Sequence, residues 1–184
     1  MTLGRWLILV RYGEISLKGE VSRSRMESRL VRNIEDSLES NNVRASVSRT
    51  RGRVWICCFR SEEETLSASG IVARVMGVSS LSPAVEVVFK SLDDLRDKAV
   101  EFFRNRVAGK VFAVRARRTG VHSFTSKDVE KVVGAALLGY ASKVDLENPE
   151  YTAYIEVRNR SAYFFDKVIE GPKGLPIGSE GKEL

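Results

Sequence analysis

Between residues 111 and 140 the apolar period of the chain changes from two to that of a helix, with a single glycine-centred turn between. Val111-Phe-Ala-Val-Arg-Ala-Arg117 alternates, which places Phe112, Val114 and Ala116 on one strand face and Ala113, Arg115 and Arg117 on the other. After Gly120, residues Val129, Val132, Val133, Ala136, Leu137 and Tyr140 recur at helical spacing. Thr125 or Ser126 is placed to cap that helix, and Ser126 is taken as the cap. A strand carrying Arg115, Arg117 and Arg118 that hands over to a helix start is a phosphate site in outline, because unbonded amides and the positive dipole end would lie beside the guanidinium groups.

The charge distribution points the same way. Net charge is +6, and residues 1–60 hold 12 Lys+Arg against 6 Asp+Glu, while the remainder balances at 18 against 18. Such asymmetry suits a polyanion partner on the first domain. The apolar run Trp6 to Val10 is broken by Arg11, too short for a signal sequence or a membrane span, so a cytoplasmic protein without a membrane partner is expected. Cys57 and Cys58 are neighbours in a strand, where alternation would send them to opposite faces and make a mutual disulfide costly. With one His and no spaced Cys or His pairs, a structural zinc site cannot be assembled.

The first half reads strand, helix, strand, strand, helix, strand. Arg5 to Tyr12 is strand-like; Met26, Leu30, Ile34 and Leu38 mark a helix whose Ser24-x-x-Glu27 fits a capping box. Val43 to Ser48 and Val54 to Phe59 flank an arginine-rich turn at Gly52, Glu63 to Val75 forms a second helix ended by Gly77, and Ala84 to Phe89 is the last strand. This βαββαβ order is ferredoxin-like. From Ser91 a second, α/β unit follows: a helix through Leu92, Leu95, Ala99, Phe102, Phe103 and Val107, the arginine strand and its helix, then strands Tyr151 to Val157 and Ala162 to Ile169, joined by a turn at Asn159-Arg160. The expected division is an α+β chain with a first domain at 1–76, a second at 77–170, and a glycine- and proline-rich linker at 171–184.

Three stretches carry a resemblance: Arg11-Tyr-Gly-Glu-Ile-Ser-Leu-Lys-Gly19; Arg115 to Asp128 with Val129 and Gly134; and Gly171-Pro-Lys-Gly-Leu-Pro-Ile-Gly178. Val144-Asp-Leu-Glu-Asn-Pro149 adds to them. In this order and spacing the chain resembles the N-terminal half of the tRNA 4-thiouridine synthases, the ThiI family of tRNA sulfurtransferases. The resemblance implies a ferredoxin-like domain followed by a THUMP domain that holds the acceptor stem and 3′ end of tRNA. A PP-loop domain, acting in cis or in trans, would then activate uridine 8 with ATP and Mg and receive sulfur on a cysteine. No Ser-Gly-Gly-x-Asp-Ser loop occurs here, and Gly13 to Gly19 lacks the spacing of a nucleotide loop. The chain therefore reads either as part of a longer enzyme or as a natural binding half, with no cofactor and no catalytic residue of its own. A homodimer and a link to thiamine synthesis are both compatible with that reading.

Single-stranded RNA ends are gripped by cations on phosphates and by planar groups on bases. Arg115, Arg117, Arg118 and Lys127 supply charge, and arginine forks two donors to a phosphate. His122 and Phe124, in the loop, either stack on a base or close the core, the core being the better reading for Phe124. Ser123, Thr125 and Ser126 serve as phosphate donors or as ordinary caps. Arg158 and Tyr154 extend the basic surface if their strand lies beside the arginine strand. Lys173 either reaches RNA or solubilises a linker, and Arg23, Arg25, Arg49, Arg51 and Arg53 either touch the tRNA body or are solvated. Two rivals remain: a small-molecule regulatory protein whose binding is insensitive to salt, and a THUMP adaptor for tRNA methylation, deamination or acetylation.

Overall fold

Residues 3–50 and 52–179 are described by the computed structural model, and they form two compact units. Of these, 6–83 together with 167–179 make up one, and 84–166 together with 3–5 make up the other. Arg51 and residues 180–184 lie outside the described residues.

The first unit runs β1 (Arg5–Arg11), a 3-10 turn (Glu14–Leu17), α1 (Glu20–Ser40), β2 (Ser46–Thr50), β3 (Arg53–Phe59), α2 (Glu62–Val72) and the opening of β4 (Ser80–Val88). Its strands lie in the order β2-β3-β1-β4, the ferredoxin-like arrangement. Leu30, Ile34 and Leu38 recur along one stripe of α1 and pack with Ile8, Val10, Val54 and Ile56 of the sheet. The helix begins at Glu20 after Gly19, four residues before the expected cap at Ser24. The Ser24/Glu27 spacing imitates a capping box, but Glu27 is buried and its carboxylate accepts instead from the Tyr12 hydroxyl at 2.6 Å and from Arg49 at 2.8 Å.

β3 also departs from simple alternation. Its antiparallel register with β1 slips between Trp6 and Leu7, which face Phe59 and Cys57, so Cys58 is an extra residue in the ladder with φ of 86°. The two cysteine sulfurs consequently stand 3.2 Å apart rather than on opposite faces.

The second unit takes the rest of β4 and adds α3 (Leu92–Phe103), β5 (Val111–Thr119), α4 (Ser126–Leu137), β6 (Lys143–Val144), β7 (Tyr151–Arg158) and β8 (Ser161–Phe165). Strand order is β4-β8-β7-β5-β6, with β5 parallel to both β7 and β6. Phe103, Phe112, Phe164, Leu95 and Leu137 are fully buried at its centre. Ser91 caps α3 by accepting from Asp94 N–H at 3.1 Å. α4 packs on β5: a Cβ on Gly134 would meet Val114 Cγ2 at 4.0 Å, an ordinary contact. The face of β5 bearing Phe112, Val114, Ala116 and Arg118 is therefore the helix-covered one.

Beyond Asp166 the chain returns to the first unit. β9 (Ile169–Glu170) pairs with Ser80 and Leu81 of β4. Gly171 N–H donates to Ser79 O at 2.9 Å, Lys173 N–H to Val78 O at 2.9 Å, and Gly77 N–H to Lys173 O at 3.0 Å. Farther on, Arg29 and Asn33 of α1 donate to Ile177 O at 3.2 and 3.0 Å, and Pro176 is buried. Residues 171–179 read as a linker because they are rich in breakers, yet here glycine permits close backbone approach: a Cβ on Gly171 would lie 2.2 Å from Val78 O. The division between units likewise falls inside β4 rather than after residue 76, since Gly77, at φ of 100°, marks the turn from α2 into a strand that serves both units.

Candidate nucleic-acid interface

In the second unit, the loop between β5 and α4 borders a cleft of about 940 Å³. Its other walls are Val88 to Leu92, at the start of α3, and Asn159-Arg160, in the turn between β7 and β8. Gly120, at φ of 103°, swings the chain out of β5, and a Cβ there would strike the Asn159 side chain at 2.7 Å. His122 is held on both ring nitrogens, at 3.2 Å from Arg118 Nη1 and 2.6 Å from Asn159 O. Its ring lies over Phe89, with centroids 6.2 Å apart, and over Phe124 at 5.0 Å. Phe124 is buried, as the core reading expected, so of the two loop rings His122 is the half-exposed one. Val121, at the tip, is 99% exposed.

Alternation divides the arginines. Arg115 and Arg117 lie on the face of β5 opposite the helices and are exposed; the Arg115 side chain donates to Leu146 O, while the Arg117 side chain makes no hydrogen bond or ion pair with any described residue. Arg118 lies on the other face and reaches the loop, donating to Gly120 O at 2.7 Å. β7 does lie beside β5, pairing Arg115 with Tyr154, Arg117 with Glu156 and Thr119 with Arg158. Arg158, however, is neutralised. Its Nε donates to the carboxylate of Glu156 at 2.9 Å, and Glu156 is buried, so the arginine is held by a desolvated acid. Tyr154 stacks flat on Phe165, with centroids 5.1 Å apart.

The helix start differs from expectation. Thr125, not Ser126, is the N-cap: its hydroxyl accepts from Asp128 N–H while the Asp128 carboxylate accepts from Thr125 N–H at 2.8 Å, a full capping box. These bonds, the backbone one foremost, hold the Asp128 carboxyl below the usual aspartate range. An anionic carboxylate already occupies the dipole end, which leaves cationic side chains to hold any phosphate. Lys127 is exposed and forms a surface pair with Glu130 at 2.9 Å, weak enough to be exchanged. Lys90 and Arg160, which the linear sequence did not single out, line the cleft because β4 and the β7–β8 turn bring them there. Lys173 belongs to the first unit, where its ammonium lies 3.6 Å from Glu170.

In the first unit the Arg11-Tyr-Gly-Glu stretch has a structural part. Tyr12 is buried, and desolvation, then its bond to Glu27, pushes its phenol up to about 12. Arg23 lies 3.8 Å from the same carboxylate and Arg49 binds it directly, while Arg53 donates to Gly52 O at 2.8 Å. Arg25 is exposed. Among the described residues no group of three or more His, Cys, Asp or Glu is arranged to hold a metal ion, and no helix is long and apolar enough to cross a membrane.

Residues 7–82 match the ThiI ferredoxin-like domain, and residues 89–165 match the THUMP domain. The chain thus carries a ThiI ferredoxin-like domain followed by a THUMP domain. Its THUMP domain carries the cleft; its ThiI ferredoxin-like domain carries the Tyr12 cluster and the returning tail. A probable tRNA sulfurtransferase of Aeropyrum pernix is 55% identical over 179 residues, which are 97% of this chain and 45% of that protein. The tRNA sulfurtransferase of Thermoplasma acidophilum is 40% identical over 97% of this chain and 35% of its own length. The chain thus spans less than half the length of these curated relatives. Among solved structures, PH1313 from Pyrococcus horikoshii superposes with a TM-score of 0.82 at 32% identity, covering 95% of this chain and 58% of that one. A 4-thiouridine synthetase crystallised with RNA and bound ATP superposes at 0.74 with 25% identity, over 95% of this chain and 44% of that one.

Proposed function

We propose that this chain is the tRNA-binding half of a tRNA 4-thiouridine synthase, and that its THUMP domain holds the 3′ acceptor end so that uridine 8 is presented to a PP-loop sulfurtransferase domain. The observation that carries this reading is the cleft beside the β5–α4 loop, with Lys90 and Arg160 on its walls, Arg118 tied to the loop, and the His122 ring above Phe89 and Phe124. An unpaired nucleotide needs just these two things: guanidinium or ammonium groups for its phosphates and a planar group for its base. Arg117, whose side chain has no partner among the described residues, adds a phosphate anchor farther along the strand, on the face opposite the helices. The relatives' names, and the RNA in one structural neighbour, favour this over a metabolite-binding regulator. On this reading ATP and Mg are handled by the PP-loop domain, in cis or in trans, and the work is cytoplasmic.

The test is a filter-binding titration of tRNA with and without its terminal CCA, repeated across a salt series. Intact tRNA should bind more tightly, and an Arg117→Ala/Arg118→Ala/Arg160→Ala variant should bind weakly with a salt slope shallower by ~2 units, at roughly 0.7–0.9 per lost phosphate contact. Equal affinity for both tRNAs, together with an unchanged slope in the variant, would remove the cleft as the tRNA site.

A further inference from the structure

The register slip in β3 has brought together the two cysteines of the chain. In an uninterrupted strand, consecutive side chains leave opposite faces of the sheet. Here Cys58 is the inserted residue, at φ of 86°, a conformation that a side chain other than glycine or asparagine rarely adopts. The outcome is a pair of reduced thiols with sulfurs 3.2 Å apart, Cys58 exposed and Cys57 half-buried. A strained backbone that gathers two soft nucleophiles at a solvent-facing bulge has the character of a site rather than of packing.

We infer that Cys57 and Cys58 form a two-thiolate chelating site for a pyramidal, thiophilic centre of the trivalent organoarsenic class. The separation of the sulfurs selects the class. With a thiolate bond of ~2.3 Å, sulfurs 3.2 Å apart subtend about 90° at a shared centre. Tetrahedral zinc would hold them ~3.8 Å apart and needs four donors. Among the described residues no third His, Cys, Asp or Glu joins them. A trivalent metalloid with a stereochemically active lone pair keeps its bonds near right angles, and an organic substituent supplies its third bond, so two sulfurs complete it. The step involves no oxidation: R–As=O and two S–H groups give a cyclic R–As(S)₂ adduct and one water, the two thiol protons leaving on the former arsenic oxygen.

The full chain would be treated with phenylarsine oxide and followed by intact mass, thiol count and thermal unfolding read by indole fluorescence. The expected result is one phenylarsenic per folded chain, loss of both titratable thiols, and a raised Tm, because a ligand that prefers the folded geometry stabilises it. A small 1,2-dithiol should reverse the adduct and an equal amount of monothiol should not. Cys57→Ser and Cys58→Ser, each near-isosteric and retaining one thiol, should hold the arsenical ~10²-fold or more weakly, since the second bond is then no longer intramolecular. An adduct that forms only after the chain is unfolded in urea, or one that lowers Tm, overturns the assignment; so does unchanged retention in either single variant.

Discussion

Arg117 and Arg158 lie on paired strands and share a face, yet they meet different demands. Arg117 has no described partner, so Arg117→Ala should lower tRNA affinity and reduce the salt slope by about one unit while leaving the urea midpoint unchanged. Arg158→Ala should do the reverse, destabilising the chain in urea titration because the buried Glu156 carboxylate would lose an ion-pair partner. Alternation in the sequence correctly put Tyr154 and Arg158 on one face, but Glu156 shares that face, and its claim on Arg158 became visible only with the side chains in place. At Tyr12 a Phe replacement should cost about 2 kcal/mol, the net worth of a hydrogen bond to a charged partner. Its phenol sign is also fixed. The folded value near 12 exceeds the ordinary value near 10, so the contribution is complete below the ordinary value and is lost as pH rises through the folded one, which ultraviolet phenolate titration against unfolding should register.

At the scale of elements, most of what the sequence specifies is periodicity, and helix ends are where it misleads. α1 begins without any side-chain cap, after Gly19, so nothing in the letters announces it, whereas Ser24 and Glu27 offer a decoy. α4 does have a true box, one residue earlier than expected, and Thr125→Ala should lower stability by about 1 kcal/mol. Asp128, the other half of that box, has a depressed folded pKa, so its contribution is present above the unfolded value near 4 and disappears as pH falls through the lower folded value. A carboxyl-detected acid titration should find Asp128 titrating below an ordinary exposed aspartate, and Thr125→Ala should bring it back toward the ordinary range. The bulge at Cys58 was not legible at all, because one inserted residue leaves the composition of a strand unchanged while inverting the direction of everything after it.

For the molecule as a whole, the sequence disclosed two units and the βαββαβ order of the first, since both follow from local pattern. It did not disclose that residues 167–179 rejoin the first unit, because that depends on pairings about ninety residues distant along the chain, in which Gly171 matters for what it lacks. A chain ending at Asp166 should therefore lose at least about 3 kcal/mol from the first unit alone, at roughly 1 kcal/mol for each of the backbone bonds made to Gly77, Val78 and Ser79, before the β9 pairing and the Ile177 contacts are counted. Trp6 and Trp55, the only tryptophans, both belong to that unit, so indole fluorescence would report its unfolding separately from that of the other. The returning tail also sets an order of events on the ribosome. The ThiI ferredoxin-like domain is the first to emerge, but its sheet stays open along one margin until β9 has been translated, by which time every residue of the THUMP domain has already appeared. Of the two domains, the one translated earlier is thus completed later, and until then the Ser80–Leu81 margin of its β4 lacks its strand partner.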